Sequence, residues 1–193
     1  MEKELCRATI EGNEETLVKL IQEDPPILDR SMATTFGETS LHVASLLGNQ
    51  QFTIELVKRK PELARELDSR GSSALHLASA KGAHWSMKGR ILVMKELLGT
   101  ESDAALALLH PPGETILHLC VDYCQFEAFK FLVENVDFQD LINIKDSNGN
   151  TILDLAVADK QIKTIDYLLD KTNIEVNSVN VYGQTAMDIL VQS

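Results

Sequence analysis

The chain has 193 residues, of which 44% are apolar and 5% aromatic, and a formal net charge of -11; that is enough apolar matter for a buried core of Leu, Ile, Val and Ala, and length alone leaves one domain or two open. An acidic surface repels phosphate backbones and anionic lipid heads, which disfavours nucleic acid and leaves basic or mixed-charge proteins as the easier partners. Cys6, Cys120 and Cys124 are too few for a disulfide framework, the charged start lacks the apolar stretch of a secretory signal, and no apolar run approaches the roughly 20 residues of a membrane span.

In chain order, the first predicted helix pair occupies about residues 1–36, with Leu5, Ala8 and Gly12 followed by a closing Leu20-Ile21. The second, 37–70, opens on Gly37-Glu-Thr-Ser-Leu-His42. A short helix through Leu41, Ala44 and Leu47 ends at Gly48, and Phe52, Leu56 and Val57 then recur at the 3.6-residue period of a second helix. Gly71-Ser-Ser-Ala-Leu-His76 opens the third unit (71–112), Gly113-Glu-Thr-Ile-Leu-His118 the fourth (113–148) and Gly149-Asn-Thr-Ile-Leu-Asp154 the fifth (149–182). Gly183-Gln-Thr-Ala-Met-Asp188 opens a partial sixth (183–193). The intervals between these glycines are 34, 42, 36 and 34 residues. Such a period is the mark of a stacked-repeat architecture.

Position by position, the copies share their chemistry. Thr39, Ser73, Thr115, Thr151 and Thr185 stand where an N-cap hydroxyl accepts a hydrogen bond from an unpaired backbone N–H. Three residues later come His42, His76, His118, Asp154 and Asp188, the spacing of a capping box. The slot three after the motif leucine holds Ala8, Ala44, Ala78, Cys120 and Ala156, side chains small enough for helices to approach closely.

This pattern resembles the ankyrin repeat, Gly-x-Thr-Pro-Leu-His-x-Ala, over essentially the whole chain. The motif proline is replaced by Ser40, Ala74, Ile116, Ile152 and Ala186, and the helix-ending glycine by Cys124 and Lys160, which weakens those two turns. The resemblance implies an all-α solenoid of about six helix-turn-helix repeats, atypical at both ends, forming a single domain over 1–193. More narrowly, the connectors Asp24-Pro-Pro-Ile-Leu28 and Lys60-Pro-Glu-Leu-Ala64, and the ending Val176 to Leu190, resemble the plant ankyrin proteins that carry a C-terminal PGG membrane domain. That likeness implies defence or stress signalling, and a cytoplasmic location at the cytosolic face of the plasma membrane if a membrane segment is attached. The apolar Met187, Ile189, Leu190 and Val191 suggest that the natural chain continues past Ser193 or is covered there by a neighbour.

Aligning Gly89 with the turn glycine restores Leu97-Leu98 to the closing slots, which makes Ala83 to Gly89 an insertion containing Trp85 and Met87. It either folds back onto the stack or contacts a partner. The histidines recur one per repeat, too far apart to share a metal ion, and no nucleophile elbow, phosphate loop or His-Glu-x-x-His is present. No enzymatic activity, cofactor or metal is therefore expected. Lys58-Arg-Lys60 is too small a basic patch for nucleic acid against the overall charge.

Carried over from the family, the partner-binding surface comprises the loop tips and the exposed side of each first helix. Those slots hold Phe36, Glu38, Leu46, Leu47, Arg70, Lys81, Glu114, Asp122, Tyr123, Asn148, Asn150, Asp159 and Tyr182. The expected function is protein–protein interaction. The alternative is a small-molecule sensor with Trp85 shaping a closed apolar pocket.

Overall fold

The computed structural model describes residues 1–30, 37–79, 87–100, 114–136 and 141–192. Phe36, Lys81 and Trp85 lie outside these, as do most of the 83–89 insertion and its expected contacts. Among the described residues the regular structure is helical, apart from one isolated bridge between Leu67 and Ser73.

The chain divides into two compact units, Met1–Ala105 and Leu106–Ser193. The first holds α1 (Glu2–Glu11), α2 (Glu14–Glu23), α3 (Ile27–Arg30), α4 (Ser40–Leu47), α5 (Gln50–Arg59), a 3-10 turn (Pro61–Arg65), α6 (Ala74–Ser79) and α7 (Met87–Thr100). Here α1 packs on α2 and α4, α4 on α5 and α6, and α7 on α5 and α6. The second unit holds α8 (Ile116–Asp122), α9 (Phe126–Asn135), α10 (Ile152–Ala158), α11 (Ile162–Lys171) and α12 (Ala186–Gln192). There α8 packs on α9 and α10, and α10 on α11 and α12. Within each unit, first helices meet their own second helices and the first helix of a neighbouring repeat, the expected all-α stack of helix-turn-helix units.

None of the first helices α4, α6, α8, α10 and α12 exceeds eight residues, too short to hold a helix alone in water. Their stability comes from packing. Leu5, Leu41, Leu75, Leu117 and Leu153 are all buried, as are Ala8, Ala44, Ala78, Cys120 and Ala156 in the small slot. Each buried leucine contributes about 1.5–3 kcal/mol relative to exposure. Leu20, Leu56, Leu97, Leu132 and Leu168, near the ends of the second helices, are buried too. Ser40, Ala74, Ile116, Ile152 and Ala186, which replace the motif proline, are buried at the first helical position. Proline is helpful there and not required.

The caps form as the spacing predicts. Thr39, Thr115 and Thr151 each accept from the backbone N–H of the third helical residue, whose side chain reaches back to the cap's N–H. Ser73 with His76 and Thr185 with Asp188 make the same reciprocal pair. The Pro-x-Leu connectors bury Ile27 and Leu63, and Lys60 of the second pairs with Asp29, which follows the first.

At two turns the structure shows how the chain manages without glycine, and at Gly89 it corrects the expected alignment. The turns after α8 and α10 close despite lacking glycine: Cys124 and Lys160 take the left-handed conformation at φ 53° and 54°, as Gly12 and Gly48 do at 67° and 72°. The Gln125 N–H then donates to the Cys120 carbonyl at 2.7 Å, and the Gln161 N–H to the Ala156 carbonyl at 2.9 Å, matching Asn49 to Ala44. Gly89 is not a turn residue. It lies inside α7, where a Cβ would stand 2.7 Å from the Gly48 carbonyl oxygen. Glycine is needed at that position because two backbones touch, and Met87, assigned to the insertion, is the first residue of α7.

Candidate interaction surface

The loop tips are built by a residue that the motif does not contain. Asp68 Oδ1 accepts from the backbone N–H of Arg70 and of Ser72, both at 2.8 Å. Asp146 does the same for Asn148 and Asn150 at 2.8 and 2.7 Å, and Asn180 for Tyr182 and Gln184, both at 3.0 Å. Each acceptor stands three residues before the repeat glycine, whose φ lies between 72° and 75°. This side-chain mimic of a turn holds the intervening residues outward: Arg70, Asn148 and Tyr182 are exposed, Tyr182 at 74%. The signal was in the sequence as Asp-Ser-Arg-Gly, Asp-Ser-Asn-Gly and Asn-Val-Tyr-Gly, but it lies just before the motif.

Neighbouring tips are tied together in the second unit. The Val181 N–H donates to the Asn148 carbonyl at 3.0 Å, and Asn180 Nδ2 donates to Asn150 Oδ1 at 3.1 Å. Asn150 also donates to Asp146 at 3.2 Å, so its side chain is engaged within the tip layer. The other expected tip residues, Glu38 and Glu114, are half-buried.

On the first helices the picture is mixed. Leu46 and Leu47 of α4 are half-buried, not open to solvent. Asp122 at the end of α8, its neighbour Tyr123 and Asp159 after α10 are exposed. Three of the expected residues lie within one electrostatic neighbourhood, since Asp122 feels Glu114, Asp159 and also Asp146. Desolvation is the largest influence on the Asp122 carboxyl and repulsion from these carboxylates the next; together they raise it from 3.8 to about 6.

The motif histidines face inward. Thr39 N–H donates to His42 Nδ1 at 3.1 Å, which leaves Nε2 to donate to the Ser72 carbonyl of the next repeat at 3.1 Å. Burial lowers the pKa of His42 and of His118, opposed by the carbonyls of Ser72 and Asn150 and by nearby carboxylates. Both cap their helices, and His42 also links its repeat to the next. Among the described residues no group of three or more His, Cys, Asp or Glu side chains could hold a metal ion, and no helix is long and apolar enough to cross a membrane. A depression beside α11, of about 640 Å³, is lined by Phe126, Lys163, Asp166, Tyr167, Leu169, Asp170 and Lys171. It is open, and four of these seven residues are charged; the closed apolar pocket expected beside Trp85 lies outside the described residues.

The architecture has counterparts. Over 98% of this chain and 91% of that one, a chain of the solved structure of the Bd0816 predatory endopeptidase from Bdellovibrio bacteriovorus in complex with immunity protein Bd3460 superposes with a TM-score of 0.76 at 23% identity. The crystal structure of EF0377, an ankyrin repeat protein, matches over 100% and 92% of the two chains with a TM-score of 0.77 at 20% identity. In sequence, the ANK repeat-containing protein nipk-1 of Caenorhabditis elegans is 28% identical over 93% of this chain, which spans only 30% of that relative's length. The family model for ankyrin repeats, three copies, matches residues 83–180, just over half of the chain. With the reciprocal caps, buried motif leucines and paired helices already described, this match makes the chain a member of the ankyrin-repeat family, a family of protein–protein interaction modules.

Proposed function

We propose that the chain binds a basic or mixed-charge segment of another protein, and that the second unit presents the face on which it does so. The observation that carries this reading is the convergence of Glu114, Asp122, Asp146 and Asp159 beside the exposed Tyr123. Tyr123 is 41% exposed, and the Asp159 side chain is exposed as well. A partly desolvated carboxylate repelled by three others is relieved by a cation, and an adjacent tyrosine adds amphipathic contact area. The half-buried state of Leu46 and Leu47 makes these expected positions of the first unit the weaker candidates. The setting we infer is defence or stress signalling of the plant type, on the cytosolic side of a membrane; its support is the likeness of the Pro-x-Leu connectors and of the chain's ending.

A Lys/Arg-rich peptide and a neutral peptide of equal length, titrated calorimetrically, provide the test. The basic peptide should bind with strong salt dependence, and Asp122→Asn with Asp159→Asn should weaken it about tenfold, some 1.4 kcal/mol. Equal affinity for the two peptides, or no change in the double variant, would refute the reading.

A further inference from the structure

The capping side chain changes chemistry along the chain. In the first unit α4 and α6 are capped through His42 and His76; in the second unit α8 is capped through His118, but α10 and α12 through Asp154 and Asp188. At neutral pH both kinds do the same work, because each accepts the N–H of the cap residue. Thr39 and Ser73 donate to imidazole Nδ1 at 3.1 and 3.2 Å, and Thr151 and Thr185 donate to carboxylate Oδ2 at 2.7 and 2.9 Å.

The two kinds differ in where a further proton must go. His42 Nε2 already carries the hydrogen that it donates to the Ser72 carbonyl. The site left is Nδ1, the atom that accepts from Thr39. A proton there sets two N–H groups against each other and breaks the reach back to the cap. His76 and His118 meet the same conflict at Nδ1, which accepts from the N–H of Ser73 and of Thr115. All three rings are buried, so a cation formed there lacks the water that would solvate it. The charged groups acting on His42 are Asp68 and Glu66, ahead of the next tip glycine, and Glu38 beside its own cap; on His118 it is Asp146. These carboxylates favour the cation, but burial outweighs them at both rings. A carboxylate cap stays ionised through the range in which imidazole titrates, and the Thr185 N–H and hydroxyl lower Asp188 further still.

We infer that mild acid opens the first unit ahead of the second, because α4 and α6 both rest on an imidazole whereas α10 and α12 rest on a carboxylate. The inference is independent of the proposed binding face, which lies in the unit that acid spares. Its sign follows from linkage: below about pH 6.5 an opened segment takes up a proton on each freed imidazole that the closed segment refuses. Opening α4 and α6 frees two capping imidazoles, and opening α8 frees one. In the second unit Asp122 works the other way, since its carboxyl, raised to about 6, binds a proton in the closed form first.

Amide hydrogen exchange of the full chain, read peptide by peptide and corrected for intrinsic exchange rates, tests this between about pH 7.5 and about pH 5. Protection of α4 and α5 should fall about tenfold more than that of α10 and α11. His42→Asp installs the cap chemistry of α10 and should shrink that excess. Asp154→His is the converse and should bring α10 and α11 down with the first unit. Equal losses in the two units, or none, overturn the inference. A His42→Asp protein that loses protection equally at both pH values, keeping the natural pH response, overturns it as well. Should that variant not fold, Asp154→His decides: an unchanged pH response in α10 and α11 refutes the role of the capping group.

Discussion

Protonation behaviour at single residues follows from burial. His42 and His118 are neutral in the fold, with pKa values lowered by desolvation. The unfolded chain therefore takes up protons below about pH 6.5 that the folded chain refuses, and stability falls on acidification through that range. Asp122 acts in the opposite sense: its carboxyl, at about 6 in the fold, binds a proton before the unfolded chain does, so its contribution improves as pH falls from about 6 to 4. Asp122→Asn should accordingly stabilise the chain at pH 7, by less than about 1 kcal/mol since the group is exposed and screened, and should steepen the loss of stability between pH 6 and 4. Thermal melts of the two proteins at half-unit pH steps check this; parallel curves would refute it.

At the scale of one element, the Cys124 turn and the Gly89 contact yield two substitutions of opposite sign. Cys124 holds φ 53° without the freedom of glycine, and left-handed backbone costs an ordinary residue about 1 kcal/mol. Cys124→Gly should stabilise the chain by up to about that amount in urea unfolding, even though it removes a side chain from a helix junction. Gly89 is the converse. Alanine there would place its Cβ 2.7 Å from the Gly48 carbonyl oxygen, so Gly89→Ala should cost about 1–3 kcal/mol, as overpacking does, although alanine is the better helix former. A neutral or stabilising outcome would show that α7 does not approach the Gly48 turn so closely. Asp68, Asp146 and Asn180 belong to this scale too, because each organises a whole tip through two backbone donors.

For the molecule as a whole, stacked repeats derive stability from their own helices and from contacts with the next repeat, which usually spreads unfolding cooperatively along the array. The single-domain expectation over 1–193 then predicts coincident urea transitions from two single-tryptophan proteins. One keeps the natural Trp85, and the other carries Tyr123→Trp together with Trp85→Phe. Two separated midpoints would instead make Met1–Ala105 and Leu106–Ser193 independent folding units. The same scale governs binding. Residues that the stack consumes are tied up, His42 between repeats and Asn150 between loop tips, whereas Asp122, Tyr123, Asp159 and Tyr182 remain at the surface.

The repeat period, the caps and the buried leucine and alanine slots were legible from the chain alone, because each depends on residues within one or two helical turns of one another and recurs in register. What only the tertiary structure decided involves groups far apart in sequence. Gly89 meets Gly48, Asn180 locks Asn150, and Asp122 senses Asp146 at the end of its own repeat and Asp159 in the next. Leu46 and Leu47 read as free surface from their slot, but burial depends on what packs above a residue, and that is a property of neighbouring repeats.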